Sequence, residues 1–116
     1  MTTISPACVF CQIVAGTAPA TVIRRWARCI AIEPLNPVVA GHLLVIPRIH
    51  VPDFTSDPKV TAGVMWDAAE LATAPANLIT SAGTEATQTI FHLHVHIVPR
   101  HAGDGLALPW SPGGAA

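Results

Sequence analysis

The chain has 116 residues, a formal net charge of −1 and 11% charged residues, while 51% of its residues are apolar. It has no basic stripe for nucleic acid, no signal-peptide pattern and no apolar run long enough to span a membrane, which favours a cytoplasmic protein that binds neither nucleic acid nor membrane. We expect a single domain over residues 1–116, with a core at about 7–105 and an irregular tail at 101–116. So few charges also favour a homodimer that buries apolar surface between subunits.

Periodicity and breaker residues predict two helices and five strands. In chain order the predicted elements are a helix at 9–15, strands at 21–24, 29–32 and 41–47, a helix from 58 to about 73, and strands at 77–81 and 90–98. Asp57 is the expected N-cap of the second helix, and Pro58 is its first residue. Because short connections favour antiparallel neighbours, we predict an α+β fold. Its sheet is meander-like, antiparallel and five-stranded, with one short N-terminal helix and one longer helix packed on it.

Three histidines, each separated by one apolar residue, occupy the last predicted strand: His92, His94 and His96. A period of two places them on one face, while Leu93, Val95 and Ile97 face the core. Neighbouring imidazoles would stand about 6–7 Å apart and the outer two about 13 Å apart. One metal ion, which binds nitrogen at about 2.1 Å, cannot take all three from a straight strand. The row therefore indicates that some of these histidines bind a metal and others take part in chemistry, and that they are not ordinary surface residues.

Cys8 and Cys11 have the spacing of half a tetrahedral zinc site, which needs two further ligands. His50, after the third strand, is one candidate, and any histidine of the last strand could be the other. A redox pair is disfavoured because nothing strand-like precedes Cys8. Simple burial as reduced thiols is the alternative. Cys29 lies in a predicted strand and is expected to be a buried apolar residue.

Three segments together resemble the histidine-triad (HIT) family of nucleotide hydrolases and transferases: 92–98, 41–48 and 88–89. The resemblance covers roughly residues 7–105. It implies that His94 is the nucleophile that attacks the α-phosphorus of a nucleotide. His96 would contact the phosphate and the leaving group, and His42 would be an additional active-site histidine. Thr89 stands where many members have serine and can donate a hydroxyl hydrogen bond, and Gln88 would also lie at the phosphate.

The resemblance also resolves the metal ligands. In zinc-bearing bacterial members, the first histidine of the triad binds a structural zinc ion with a Cys-x-x-Cys pair and a histidine that follows the Gly-His strand. The corresponding residues here are Cys8, Cys11, His50 and His92. Members of the family are usually homodimers.

The chain departs from the family pattern around the expected nucleoside and phosphate sites. Pro34 stands where the family usually has Asp or Asn to hold the ribose hydroxyls. Glu33 and Asn36 lie beside it and are candidate substrate-binding residues. Ser81, a further candidate, replaces a frequent Asn, and Thr87 replaces the usual Gly.

The sequence therefore predicts a hydrolase that acts at the α-phosphate of nucleoside phosphoramidates or related nucleotide conjugates through a phosphohistidine intermediate. One alternative is a dinucleoside polyphosphate hydrolase or phosphorylase, which would share the nucleophile. The other is a non-catalytic nucleotide-binding module.

Overall fold

The computed structural model of the protein describes residues 5–110. In chain order the elements are α1 (Val9–Ala15), β1 (Val22–Arg25), β2 (Cys29–Ile32), β3 (Leu43–Pro47), α2 (Pro58–Leu71), β4 (Ala76–Ile79), a 3-10 turn (Thr84–Ala86) and β5 (Val95–Pro99). The strands form one sheet in the order β1-β2-β3-β5-β4, and each neighbouring pair is antiparallel. The predicted α+β class, with five antiparallel strands and two helices, is confirmed.

The sheet differs from the predicted meander in the position of its last strand, because β5 inserts between β3 and β4. The residues Val95, Ile97 and Val98 are all buried, so this strand is covered on both faces. Such a strand is more stable in the middle of a sheet. The edge is left to β4, whose residue Ile79 is exposed.

The two helices pack on opposite faces of the sheet. On one face, α2 buries Val64 and Ala68 against Ala31 and Val45. On the other face, Phe10 of α1 packs with the neighbouring strand residues, which are Ile30, Ile32, Leu44 and Ile46. The alternation of the two clusters along β2 and β3 explains why these strands are apolar without interruption. The face that carries α1 is the one on which the candidate site lies.

Local signals place the helix ends where the sequence predicts them. The Cys8 side chain caps α1, and Gly16 ends it with a left-handed φ of 81°. The Asp57 carboxylate accepts a hydrogen bond from Lys59 N at the start of α2, where Pro58 is the first residue. Cys29 is fully buried, as expected, and burial raises the pKa of its thiol to about 12.

The histidine segment is the largest local departure from the predicted elements. We predicted a strand over 90–98, but the ladder begins at Val95. Before that point, Leu93 N donates to Val51 O, and the Thr80 hydroxyl donates to His94 O, so these groups are satisfied outside the sheet. Leu93 still joins the core on the α2 side. The side-chain alternation therefore continues through a segment that is not a regular strand.

Candidate active site and metal centre

Four side chains from three distant parts of the chain converge beside α1. They are Cys8, Cys11, His50 and His92, whose ligand atoms all lie within 4.8 Å of one another. His92 Nδ1 lies 3.4 Å from Cys8 Sγ, 3.5 Å from Cys11 Sγ and 3.2 Å from His50 Nδ1. Ligands of a tetrahedral zinc ion with Zn–S bonds of about 2.3 Å and Zn–N bonds of about 2.0–2.1 Å stand about 3.3–3.8 Å apart. The spacing and the ligand types therefore fit Zn²⁺.

The surroundings prepare these groups to bind a cation. His92 is fully buried, and its Nε2–H donates to Pro47 O at 2.8 Å, which leaves the lone pair of Nδ1 for the metal. Burial lowers the pKa of His92 to about 4, so the imidazole is neutral at pH 7. Ser5 N donates to Cys11 Sγ and Cys11 N donates to Cys8 Sγ. Burial raises the pKa of the Cys11 thiol, so its thiolate needs a neighbouring positive charge.

Three of the four remaining histidines line a cavity of about 830 Å³ next to this cluster. It brings together four predicted catalytic residues, which are His42, His94, His96 and Thr89. Its wall on the α1 side is apolar and includes Val9, Phe10 and Ile13. Among the described residues that line the cavity, none is lysine or arginine. The cavity thus combines an apolar wall with a group of imidazoles.

One backbone contact fixes the tautomer of His94. Its Nδ1 lies 2.8 Å from His92 O, and a carbonyl oxygen can only accept, so Nδ1 carries the proton. Nε2 therefore holds a lone pair. Burial lowers the pKa of His94, which keeps the ring neutral at pH 7. A neutral imidazole with one nitrogen tethered and the other unprotonated has the properties of a nucleophile.

A chain of hydrogen bonds fixes the tautomer of the third histidine. Val38 N donates to His42 Nδ1 at 3.1 Å, so the proton of the His42 ring is on Nε2. That Nε2–H donates to His96 Nδ1 at 2.9 Å, which leaves the proton of the His96 ring on its own Nε2. Burial lowers the pKa of both rings, to about 4 for His96. His96 therefore offers an N–H donor beside a ring, His94, that offers a lone pair.

This lowered pKa predicts a pH dependence of stability. His96 has a pKa of about 4 in the folded protein against an ordinary value of 6.5, first because of burial and then because of His94 and His42. Between these values the unfolded chain binds a proton that the folded protein does not. The free energy of unfolding should thus fall as the pH drops from 6.5 to about 4. Denaturant unfolding across this range should show a steeper loss for the wild type than for His96→Asn. Equal slopes would contradict the assignment, since both proteins keep the same metal ligands.

The predicted substrate-binding residues divide into two groups. Glu33 and Asn36 line the cavity, close to Pro34. Gln88 is buried, and its amide is bonded to the backbone: Nε2 donates to Pro52 O and Ile90 O, while Oε1 accepts from Gly83 N. Neither Gln88 nor Ser81 is among the residues that line the cavity. These hydrogen bonds brace the loop between β4 and β5, and the phosphate contact of Gln88 stays a prediction.

The loop between β4 and β5 also contains a strained residue. Thr87 has a φ of 72°, a left-handed conformation that β-branched residues rarely adopt. We expect Thr87→Gly to stabilise the protein by about 1 kcal/mol, because glycine adopts this φ without strain. Thr84→Gly, in the neighbouring 3-10 turn where φ is negative, should instead destabilise by about 0.5–1 kcal/mol. Denaturant unfolding of both variants measures the sign of the change in the free energy of unfolding. A loss of stability in Thr87→Gly would contradict the interpretation that Thr87 is strained.

Phe10 is a site residue that the sequence analysis missed. Its ring meets His92 edge-on, with centroids 5.8 Å apart, and meets His94 in the same way at 5.2 Å. It is 4% exposed and belongs to the core cluster on this face. The signal in the sequence that could have identified Phe10 was its position between the two cysteines, because a residue between two metal ligands on a short helix lies close to the metal.

The fold and site define a class of small α+β proteins in which a row of histidines is shared between a metal cluster and a cavity. Residues 15–103 match the HIT domain family, and the chain belongs to this family. The chain is 33% identical over 108 residues to the adenylylsulfatase HINT3 of Arabidopsis thaliana, a match that covers 85% of this chain and 55% of that protein. This chain thus spans about half the length of that relative.

Solved structures agree with the family assignment. A zinc-bound histidine triad family protein from Mycobacterium smegmatis superposes with a TM-score of 0.82 at 36% identity, covering 91% of this chain and 84% of that chain. A HIT family hydrolase from Clostridium thermocellum gives a TM-score of 0.75 at 31% identity, covering 85% of this chain and 95% of that chain. The predicted zinc site thus has a zinc-bound relative and a fitting cluster here. None of the helices within residues 5–110 has the length and apolar character needed to cross a membrane.

Proposed function

We propose that the protein hydrolyses nucleoside phosphoramidates or related nucleotide conjugates at the α-phosphate. One observation carries this proposal: the unprotonated Nε2 of His94 shares a cavity with the N–H donor of His96. A nucleophile and a donor side by side are what a phosphoryl centre requires. The HIT family hydrolase from Clostridium thermocellum supports hydrolysis as the reaction class.

In the first step, His94 Nε2 forms a bond to phosphorus and the bond from phosphorus to the leaving nitrogen breaks. The hydrogen bond from Nδ1 to His92 O stabilises the positive charge that develops on the ring. The Nε2–H of His96 and the hydroxyl of Thr89 donate to the phosphoryl oxygens and the leaving group. The amine leaves with a proton from this donor network. In the second step, water forms a bond to phosphorus as the bond from His94 Nε2 to phosphorus breaks, and the proton of the water restores the donor network, which releases a nucleoside monophosphate and the free imidazole.

The charge of the cavity favours a single phosphate over a polyphosphate chain. Polyphosphates are usually held by Lys, Arg or metal ions, and the described lining residues offer neither Lys nor Arg. The lining carries a carboxylate, on Glu33, and burial keeps the imidazoles neutral. The dinucleoside polyphosphate alternative is therefore disfavoured. Glu33 and Asn36, rather than Pro34, would contact the sugar.

In this proposal the zinc ion is structural. Cys8, Cys11, His50 and His92 would hold it, and as a bound cation it would keep the two thiols deprotonated and join α1 to the segment before β5. The reaction itself uses only the residues of the cavity.

A homodimer is part of the proposal. β4 is an edge strand that pairs with β5 alone among the described strands, and Ile79 at its end is 38% exposed. A second copy could therefore extend the sheet at this edge. Light scattering of the purified protein should give twice the mass of the chain, and a monomeric mass would reject the dimer.

Three substrates test the reaction with the metal-loaded protein. They are an adenosine phosphoramidate, adenylylsulfate, which is suggested by the name of the Arabidopsis relative, and a diadenosine polyphosphate. Release of AMP is followed by chromatography. We expect the fastest turnover with the phosphoramidate and the slowest with the polyphosphate. Binding of AMP by calorimetry without turnover of any substrate would favour the non-catalytic module.

A further inference from the structure

The short helix α1 belongs to both the metal cluster and the cavity. Cys8 caps it and Cys11 lies within it, and both belong to the cluster. Val9, Phe10 and Ile13 of the same helix line the cavity. A helix of 7 residues is not stable by itself, so its position depends on these anchors.

Phe10 is the residue of α1 that joins the two sites. Its ring lies edge-on to His92, a residue of the cluster, and to His94, with an interplanar angle of 83° in both pairs. The ring is itself held, because it is buried among Ile30, Ile32 and Leu44. It can therefore transmit the position of the cluster to His94.

His94 needs such a support. To the described residues its ring has one hydrogen bond, from Nδ1 to His92 O, which fixes a single atom, and the tilt of the ring depends on its edge-on contacts with Phe10 and His96, each with centroids 5.2 Å apart. Edge-on contacts between aromatic rings have a preferred geometry and restrict this tilt. The direction of the Nε2 lone pair follows from the tilt. A nucleophile that is misplaced by about 1 Å can lose about 100-fold in rate.

We propose that Phe10 is a positioning residue that couples occupancy of the metal cluster to the orientation of His94. With the metal bound, α1 is fixed and Phe10 holds the His94 ring in its reactive orientation. When the metal is lost, α1 loosens and the ring of His94 is released, although His94 is not a ligand. The catalytic part of this proposal rests on the proposed function, but the coupling itself does not.

The test combines Phe10→Leu with removal of the metal. Long-range ¹H–¹⁵N spectra of the imidazoles report the protonated nitrogen and the order of each ring. We expect one ordered Nδ1–H signal for His94 in the zinc-loaded wild type and its broadening or loss after chelation. In Phe10→Leu the signal should already be broadened with zinc bound, and chelation should change it little further. The variant should keep one zinc per chain and lose about 10- to 100-fold in kcat, with KM changed less than about threefold.

Val14→Ala is the matched control. Val14 lies on α1 and packs against the same core cluster, but it is not among the residues that line the cavity. It should weaken the helix without changing the His94 signal of the zinc-loaded protein. If Phe10→Leu fails to fold, Phe10→Met and the chelation of the wild type provide the same readouts.

Two results would overturn the proposal. One is a His94 signal that chelation leaves unchanged in the wild type. The other is a zinc-loaded Phe10 variant with a wild-type His94 signal and an effect on KM alone, because Phe10 would then be only a wall of the cavity. A wild type that turns over no substrate would reject the proposed function, while the spectra would still decide the coupling.

Discussion

Replacement of His94 by alanine should reduce turnover by about 10⁴-fold or more, because loss of a nucleophile removes the covalent route. Replacement of His96 by alanine should be milder, about 10²–10³-fold, since one donor of several is lost. Initial rates of AMP release from an adenosine phosphoramidate measure both effects. Rapid quenching with a phosphorus-labelled substrate should trap a base-stable, acid-labile protein that carries the nucleoside phosphate on histidine in the wild type and none in His94→Ala.

Two controls separate chemistry from damage to the fold. His94→Ala should keep one zinc per chain, because the cluster uses His92 and not His94. His101→Ala should keep the wild-type rate, because His101 is exposed and is not among the lining residues of the cavity. A His94→Ala protein that is zinc-loaded, folded and within tenfold of the wild-type rate would remove His94 as the nucleophile.

Local signals account for the elements that the sequence predicted well. The bounds of α1 and β2 were predicted without error, and Asp57 caps α2 as expected. These features depend on nearby residues: a cap, a glycine with positive φ, or a short apolar run between turns. The place of β5 between β3 and β4 depends instead on which strands are covered on both faces. The hydrophobic periodicity of a strand does not indicate its position in the sheet, so the predicted meander order was wrong.

The candidate site shows the same limit at atomic scale. The spacing of Cys8 and Cys11 indicated a metal site, and the family resemblance implied the two histidine ligands that the structure places beside them. The tautomers could not be predicted, because they are set by backbone groups, namely Pro47 O, His92 O and Val38 N. Backbone N–H and C=O groups occur along the whole chain, so residue types do not indicate which of these groups bond to the histidines. Gln88 illustrates the converse: the family resemblance implied a phosphate contact, and the structure adds three hydrogen bonds between its amide and the backbone that no sequence pattern indicated.

The metal cluster should make the largest contribution of any single group of side chains to stability. It joins α1, the loop after β3 and the segment before β5, while α1 is otherwise held on this side by apolar contacts of Phe10, Ile13 and Val14 with the core. A ligand present at 1,000 times its Kd stabilises the folded state by about 4 kcal/mol. For a chain of this size that corresponds to a rise in Tm of about 10–20 °C. Thermal unfolding with excess zinc and with a chelator should show this difference.

Cys11→Ser tests the cluster, and Cys29→Ala is its control. Cys29 is as deeply buried as Cys11 but lies in the core on the opposite face of the sheet. Cys11→Ser should lose the bound zinc, and its Tm should fall to that of the chelated wild type and no longer respond to zinc. Cys29→Ala should lose some core packing, yet keep one zinc per chain and the full response to the chelator. Because both changes remove one buried sulfur, only the ligand role separates them. A wild type that holds no zinc when freshly purified and has the same Tm with and without chelator would show that the four side chains are merely packed together.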